Sequence, residues 1–178
     1  MHRISLSVLI AFCVMLFAIN SVAQMPVPKP APELGKLDYL AGKWVSEGDM
    51  KPGPMGPGGK IVSDDESHWQ EGKFFLVMNS KFKGAMGDGT SLAVFGYDPE
   101  KKVYTYNEFN SMGQATKSEG TVDGNTWAWT GDQNFGGQIL KGRFTMMVQS
   151  PAAYTYKYEI SPEGNNWTLV MDGKSTKK

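Results

Sequence analysis

The chain has 178 residues, of which 40% are hydrophobic, and its 18 basic side chains balance its 18 acidic ones. This length fits one domain. A net charge of zero gives no electrostatic reason to expect nucleic acid or an anionic membrane surface as a partner. The single cysteine, Cys13, lies near the N-terminus. The remainder of the chain must therefore fold around a hydrophobic core without disulfides.

Residues 1–23 have the three parts of a secretory signal peptide. His2 and Arg3 form a short positive region, and Ile4 to Ile19 is an almost unbroken apolar run. Ser21 and Ala23 are small enough for a peptidase that cuts after Ala23. The apolar run is short for a membrane span, which needs about 20 apolar residues. We therefore expect a protein exported to the periplasm or the extracellular space, with no membrane attachment after cleavage.

Residues 24–33 are rich in proline and predict an extended tether. Residues 34–178 are then expected to form one folded domain. A short helical turn over Glu33–Tyr39 is expected at its start, because Leu34, Leu37 and Leu40 recur at helical spacing.

From Gly42 onward the hydrophobic pattern has a period of two, and turn residues interrupt it roughly every 8–12 residues. Among the turns, Asp123-Gly124 is the strongest hairpin signal. About ten short strands joined by tight turns predict an all-β fold, a single antiparallel up-and-down barrel, because closure removes exposed edges. The predicted strands are Lys43–Asp49, Lys60–Gln70, Lys73–Lys83, Thr90–Tyr97, Lys102–Phe109, Gln114–Val122, Asn125–Asp132, Gln138–Ser150, Tyr154–Ser161 and Asn166–Lys174.

The glycine- and proline-rich segment Lys51–Gly59 interrupts the strand pattern. It fits a flexible connection between the first two strands. It also fits a mobile flap over a barrel mouth, to which Met50 and Met55 would add adaptable apolar contacts.

The most specific motif is Leu37–Trp44, a short helical turn followed by Gly42 and Trp44 at the start of the first strand. It resembles the opening signature of the lipocalin and calycin barrels. In those folds the tryptophan fills the closed end, often beside a basic side chain from a late strand. The resemblance implies this barrel-closing role for Gly42 and Trp44. Arg143, in a late predicted strand, is the candidate cation beside the indole.

Further turn and strand motifs extend the resemblance over nearly the whole domain. They make the sequence similar to a bacterial calycin-like family known as domain of unknown function 1579. The family commonly has an acid where this chain has Asn110, so a role for that acid does not carry over. Membership implies a lipocalin-like barrel and no established reaction. The motifs are Leu-x-x-Leu-Ala-Gly-x-Trp at 37–44, Gly96-Tyr97-Asp98, Asn110-Ser111-Met112-Gly113, Gly120-Thr121-Val122-Asp123-Gly124 and Gly164-Asn165-Asn166-Trp167.

Aromatic residues alternate with polar ones along three predicted strands, which places many of the rings on the inward face. Rings in such positions either fill a core or line a ligand cavity, and the pattern fits both interpretations equally. The candidate ligand-binding residues are Tyr104, Tyr106, Glu108, Trp129, Arg143, Tyr156 and Tyr158.

His68 is the only histidine after the predicted cleavage site. Zinc needs three or four converging His, Cys or carboxylate ligands, so no metal site is expected. One histidine can hold haem, but the face that His68 shares with Asp64 and Glu66 is typical of a solvated strand. We expect no cofactor, with haem through His68 as the alternative. The cluster Asp64–Glu66 fits either a charged strand or paired carboxylates for acid–base chemistry or calcium.

The expected function is the binding of a small hydrophobic or aromatic molecule inside the barrel. No Ser–His–Asp order and no phosphate-binding loop is present in the sequence. Two other functions stay open: an interaction scaffold without a ligand, and an enzyme that uses an interior carboxylate such as Glu108 or Glu66. A carboxylate within hydrogen-bond distance of a hydroxyl or imidazole in a cavity would favour the enzyme.

Overall fold

The computed structural model describes residues 28–53, 56–84, 87–135 and 137–178, so the predicted signal peptide lies outside the described residues. Ten antiparallel strands form one closed barrel, in which successive strands pair and the last pairs with the first. This confirms the predicted up-and-down barrel. The strands are β1 (Gly42–Met50), β2 (Gly59–Trp69), β3 (Leu76–Gly84), β4 (Gly89–Asp98), β5 (Val103–Asn110), β6 (Ala115–Asp123), β7 (Thr126–Phe135), β8 (Gln138–Ser150), β9 (Ala153–Ser161) and β10 (Thr168–Lys177).

A 3₁₀ helix, Pro32–Leu40, precedes the barrel and buries Leu34, Leu37 and Leu40, the three leucines whose spacing predicts a helical turn. The helix begins inside the segment interpreted as a tether. The fixed φ of Pro32 suits the first turn of a helix, where a missing N–H costs nothing.

The largest differences from the predicted strand boundaries, three residues each, are at the start of β3 and at the ends of β7 and β10. β3 begins at Leu76 because Glu71–Lys73 forms a short 3₁₀ turn. β10 extends to Lys177 because it pairs with β1 as far as Trp44. In the predicted β6–β7 hairpin, Asp123 pairs with Thr126. The two central turn residues are therefore Gly124 and Asn125, one position after the predicted pair Asp123-Gly124.

The 3₁₀ helix closes one end of the barrel. Leu37 of the helix and Leu76 of β3 are completely buried there. The hydroxyl of Tyr39 lies 3.0 and 2.9 Å from the carbonyl oxygens of Ser150 and Ala153, and the two oxygens share its one hydrogen. These bonds hold the helix across the turn between β8 and β9. This end of the barrel is therefore filled by side chains.

Trp44 lies at the closed end, buried, and its Nε1 donates to the carbonyl oxygen of Leu40 at 3.1 Å. Gly42 has a φ of 102°, a backbone region that favours glycine, and it turns the chain from the helix into β1. The cation beside the indole is Lys177, with Nζ 5.3 Å from the ring centroid. The prediction that Arg143 takes this place is wrong, because Arg143 lies over Trp167 instead.

The other end of the barrel carries the loops β1–β2, β3–β4, β5–β6, β7–β8 and β9–β10. At the start of the β1–β2 loop, the N–H of Lys51 donates to the carbonyl oxygen of Val170 at 2.7 Å, and Gly53 bridges to Gly56. Met50 is buried, and Met55, the second residue of the flap hypothesis, lies outside the described residues. Within the described ranges, no helix is long and apolar enough to cross a membrane.

Candidate functional site

The open end of the barrel leads into an interior cavity of about 690 Å³. This volume lies within the usual range for small-molecule sites, roughly 300–1,000 Å³. Strand pleating turns alternate residues inward, so the aromatic residues of several strands share the wall. The aromatic lining residues are Phe82, Phe95, Tyr106, Trp129, Phe135, Phe144, Tyr154, Tyr156 and Tyr158.

Two of the tyrosine rings lie against glycines of the barrel wall. A Cβ atom at Gly142 would lie 2.5 Å from the hydroxyl of Tyr158, and one at Gly48 would lie 2.5 Å from the hydroxyl of Tyr156. Any larger residue at these positions would push the rings inward. The missing side chains therefore let both rings lie along the wall and leave the centre of the barrel open.

Five of the seven candidate residues line this cavity: Tyr106, Glu108, Trp129, Tyr156 and Tyr158. Two do not. Tyr104 lies at the closed end, where its hydroxyl donates to the carbonyl oxygen of Glu33 at 2.8 Å. Arg143 forms an ion pair with Glu159, with Nη2 and Oε2 3.0 Å apart, and its guanidinium carbon lies 4.0 Å from the ring centroid of Trp167. Its side chain is therefore on the outer face of the wall.

Glu108 and Tyr106 form a hydrogen-bonded pair inside the cavity. They lie two residues apart on β5 and so face the same side. The hydroxyl of Tyr106 donates to Oε2 of Glu108 at 2.8 Å. Burial, followed by the negative charge of Glu108, raises the pKa of Tyr106 well above its usual value. The phenol therefore stays protonated near neutral pH and keeps its role as a donor.

Asp65 is a second carboxylate on the cavity wall. Its Oδ2 accepts hydrogen bonds from the hydroxyls of Ser46 and Ser63 at 3.2 and 3.1 Å. Burial raises the pKa of Asp65, and the hydrogen bonds of the surrounding serines partly oppose this rise. Asp65 is not among the predicted site residues, although the alternation of β2 places it on the opposite face from Asp64 and Glu66. That face is the interior of the barrel.

The remaining polar side chains of the wall are hydroxyls and amides, such as Ser80, Ser118, Asn110, Gln114 and Gln133. Among the described residues, no lysine, arginine or histidine lines the cavity. The same part of the chain contains no group of three His, Cys, Asp or Glu side chains placed to hold a metal ion. The cavity thus combines aromatic rings, neutral hydrogen-bonding groups and two carboxylates.

His68 lies on the outer face of β2 and is exposed, with its Nε2 3.4 Å from Nε2 of Gln70. The alternative of haem held by His68 needs an imidazole inside the cavity, and this side chain points away from it. Glu66 is also exposed on the outer face, where it pairs with Lys43 at 3.6 Å. Of the two carboxylates considered for an enzyme, only Glu108 is therefore interior.

The sequence matches one family over almost all of the described residues. A family model described as "Protein of unknown function (DUF1579)" matches residues 29–177. The chain belongs to this family. The match confirms the resemblance inferred from the turn and strand motifs. No curated protein matches the chain.

Two solved structures of similar fold share little sequence with this chain. The crystal structure of Rv2717c from M. tuberculosis is similar with a TM-score of 0.59 and 12% identity, over 84% of this chain and 99% of that one. The S-type phycobiliprotein lyase CPES from Guillardia theta is similar with a TM-score of 0.51 and 11% identity, over 80% of this chain and 89% of the lyase. At such identities the likeness shows a common lipocalin-like barrel fold.

Proposed function

We propose that this protein is an exported binding protein that holds a small, partly apolar molecule inside its barrel. The cavity of about 690 Å³ carries the proposal, because its wall combines aromatic rings with hydroxyl, amide and carboxylate groups. Binding sites for small molecules have this composition: mostly apolar walls with a few polar groups that set orientation. The glycines behind Tyr156 and Tyr158 favour an open interior over a filled core.

The N-terminal sequence also supports the proposal. The positive, apolar and small-residue parts of residues 1–23 support export, with the periplasm or the extracellular space as destination. Among the proteins of similar fold, one is named a phycobiliprotein lyase. Its activity does not transfer at 11% identity, because function depends on the side chains of the site.

Native mass spectrometry of the protein purified from its own host tests the proposal. The expected result is a bound mass that denaturation releases. Ser91→Trp should abolish this mass, because Ser91 lines the cavity and an indole there would occupy it. Thr90→Trp is the matched control, since the neighbouring residue is exposed on the outer face of β4. No bound mass, together with no thermal stabilisation by apolar or aromatic compounds, would contradict the proposal.

A second candidate function is an enzyme in which Glu108 accepts a proton and Tyr106 positions its carboxylate. The 2.8 Å contact between the two side chains inside the cavity favours it, because acid–base catalysis needs such a pair within reach of a ligand. The compound identified by mass spectrometry would then be converted by the protein, and Glu108→Gln would stop the conversion without releasing the compound. A compound that stays chemically unchanged on the unaltered protein would contradict this second candidate.

A further inference from the structure

The ionisable groups of the cavity carry charge of one sign only. Asp65 and Glu108 line it, and no basic side chain of the described residues does. The undescribed residues between the strands have no ionisable side chains; they are Pro54, Met55, Ala85, Met86 and Gly136. Two lysines near the open end form ion pairs on the outer face: Lys51 with Asp172 at 2.6 Å and Lys60 with Asp49 at 2.8 Å.

The tyrosines of the cavity wall add no charge to the cavity near neutral pH. Burial raises the pKa of Tyr154 to about 12, and burial and the charge of Glu108 raise that of Tyr158 to about 12. Both phenols are therefore neutral. Neutral phenol rings offer a negative π face to a cation and a hydroxyl to a hydrogen-bond partner.

Glu108 has one oxygen already bonded and one available. Oε2 accepts from Tyr106, and no donor of the described residues lies within hydrogen-bond distance of Oε1. The Tyr106 ring packs on Phe95, with the ring centroids 5.0 Å apart, and Phe95 in turn packs edge-on against Trp129 at 6.0 Å. A carboxylate oxygen beside such a group of rings is suited to an ammonium group, which forms both an ion pair and cation–π contacts.

Asp65 adds a second negative charge to the same interior. Along the wall, three strand spacings of about 4.8 Å separate β2, which carries Asp65, from β5, which carries Glu108. The hydroxyls of Ser46 and Ser63 both bond Oδ2 of Asp65. For a cation at Glu108, the Asp65 carboxylate adds a favourable field.

We propose that the cavity selects an organic cation, an ammonium group on an apolar or aromatic body, with the nitrogen at Oε1 of Glu108 and the body against the rings of Phe95, Tyr106 and Trp129. This inference rests on the proposed binding function. A bound cation compensates the charge of the two interior carboxylates. A carboxylate ligand such as a fatty acid meets two like charges inside the barrel and is disfavoured.

Three probes that share one aromatic body test the selection: 1-naphthylmethylamine, 1-naphthylmethanol and 1-naphthoate. Isothermal titration calorimetry at pH 7 measures their affinities for the purified protein. We expect the amine to bind at least tenfold more tightly than the alcohol, and the naphthoate to bind most weakly. Glu108→Gln should weaken amine binding at least fivefold and change alcohol binding by less than twofold. Glu66→Gln is the matched control on the outer face, and its affinities should equal those of the unaltered protein.

Equal binding of amine and alcohol, or tightest binding of the naphthoate, would overturn the cation selection and leave the binding function in place. If none of the probes binds but the protein carries another mass from its host, the cation selection is overturned and the binding function stands. If that mass is missing as well, the binding function fails with it. Circular dichroism shows whether Glu108→Gln is folded, and if it is not, the ratio of amine to alcohol affinity in the unaltered protein decides the question.

Discussion

Arg143 lies over the indole of Trp167, with its guanidinium carbon 4.0 Å from the ring centroid. Its Nε and Nη2 also contact Oε2 of the buried Glu159, at 3.1 and 3.0 Å. Lys157 contacts the other oxygen of Glu159 at 3.1 Å. This cluster joins β8, β9 and the residue just before β10 on the outer face of the barrel.

Arg143→Ala should lower the free energy of unfolding by roughly 1–3 kcal/mol, because it removes the stacking on Trp167 and one partner of a buried carboxylate. Arg143→Lys should recover only part of this loss, since an ammonium cannot bond Glu159 with two nitrogens or stack as a plane. Urea unfolding measures both changes. The mass bound by the protein should persist in the folded variants, and its loss from folded Arg143→Ala would place Arg143 in the binding site.

The barrel could be predicted from sequence because its signals are local. Alternation and turn residues define each strand, and ten strands with tight turns have few alternatives to closure. The position of a residue along the barrel axis is not local. Tyr104 and Tyr106 share a face of β5, but the 3₁₀ helix covers only Tyr104, through the bond to Glu33. Nothing in the β5 sequence shows where the helix ends and the cavity begins.

The contacts of Trp44 and Arg143 depend on which strands meet. Lys177 lies beside Trp44 because β10 pairs with β1 in a register that places the two residues opposite each other. Such a register follows from the closure of the whole sheet and not from either strand. For Arg143 a local signal was available: Phe144 and Met146 line the cavity, so the alternation of β8 puts Arg143 on the outer face.

Gly142→Ala should destabilise the barrel by about 1–3 kcal/mol, the usual cost of adding volume at a close contact. The added Cβ would lie 2.5 Å from the Tyr158 hydroxyl and 2.7 Å from Cγ of Gln133, so the Tyr158 ring must move toward the cavity. We also expect weaker ligand binding, because the ring then takes up space in the cavity. Urea unfolding and calorimetry measure the two effects.

Gly35→Ala is the control for this substitution. Gly35 is exposed in the 3₁₀ helix, and a Cβ there meets nothing within 4 Å. Its free energy of unfolding should stay within about 0.5 kcal/mol of the unaltered protein. Equal stability of Gly142→Ala and Gly35→Ala would show that Tyr158 does not lie against Gly142.

The buried tyrosines should lose their protons at a higher pH in the folded protein than in the unfolded chain. Burial raises the pKa of Tyr154 and Tyr158 to about 12, and it also raises the pKa of Tyr106 well above its usual value. Absorbance of phenolate at 295 nm should therefore rise at higher pH in the folded protein than in protein unfolded in urea. A tyrosine whose pKa is higher in the folded protein than the value of about 10 in the unfolded chain stabilises the fold. This contribution is fully present below pH 10 and is lost as the pH rises toward 12. Coincident titration curves for folded and unfolded protein would contradict the buried positions of these rings.

Asp65→Asn should raise the free energy of unfolding at pH 7. Burial raises the pKa of this carboxyl in the folded protein, so folding favours its protonated form. The protonated carboxyl contributes stability that is fully present below the pKa of about 4 that it has in the unfolded chain. This contribution is lost as the pH rises through the higher pKa that it has in the folded protein. A neutral amide avoids this loss. The expected gain is roughly 0.5–2 kcal/mol at pH 7, and it should vanish near pH 3.

Asp64→Asn provides the matched control for Asp65→Asn. Asp64 is the preceding residue, exposed on the outer face of β2, and its bond to Lys178 lowers its pKa. Its contribution has the opposite sign, since a lowered folded pKa stabilises the fold above the unfolded value. Asp64→Asn should therefore give no gain at pH 7. If Asp65→Asn instead destabilises the protein at pH 7 and not at pH 3, the serine hydrogen bonds to the Asp65 carboxylate outweigh the cost of its burial.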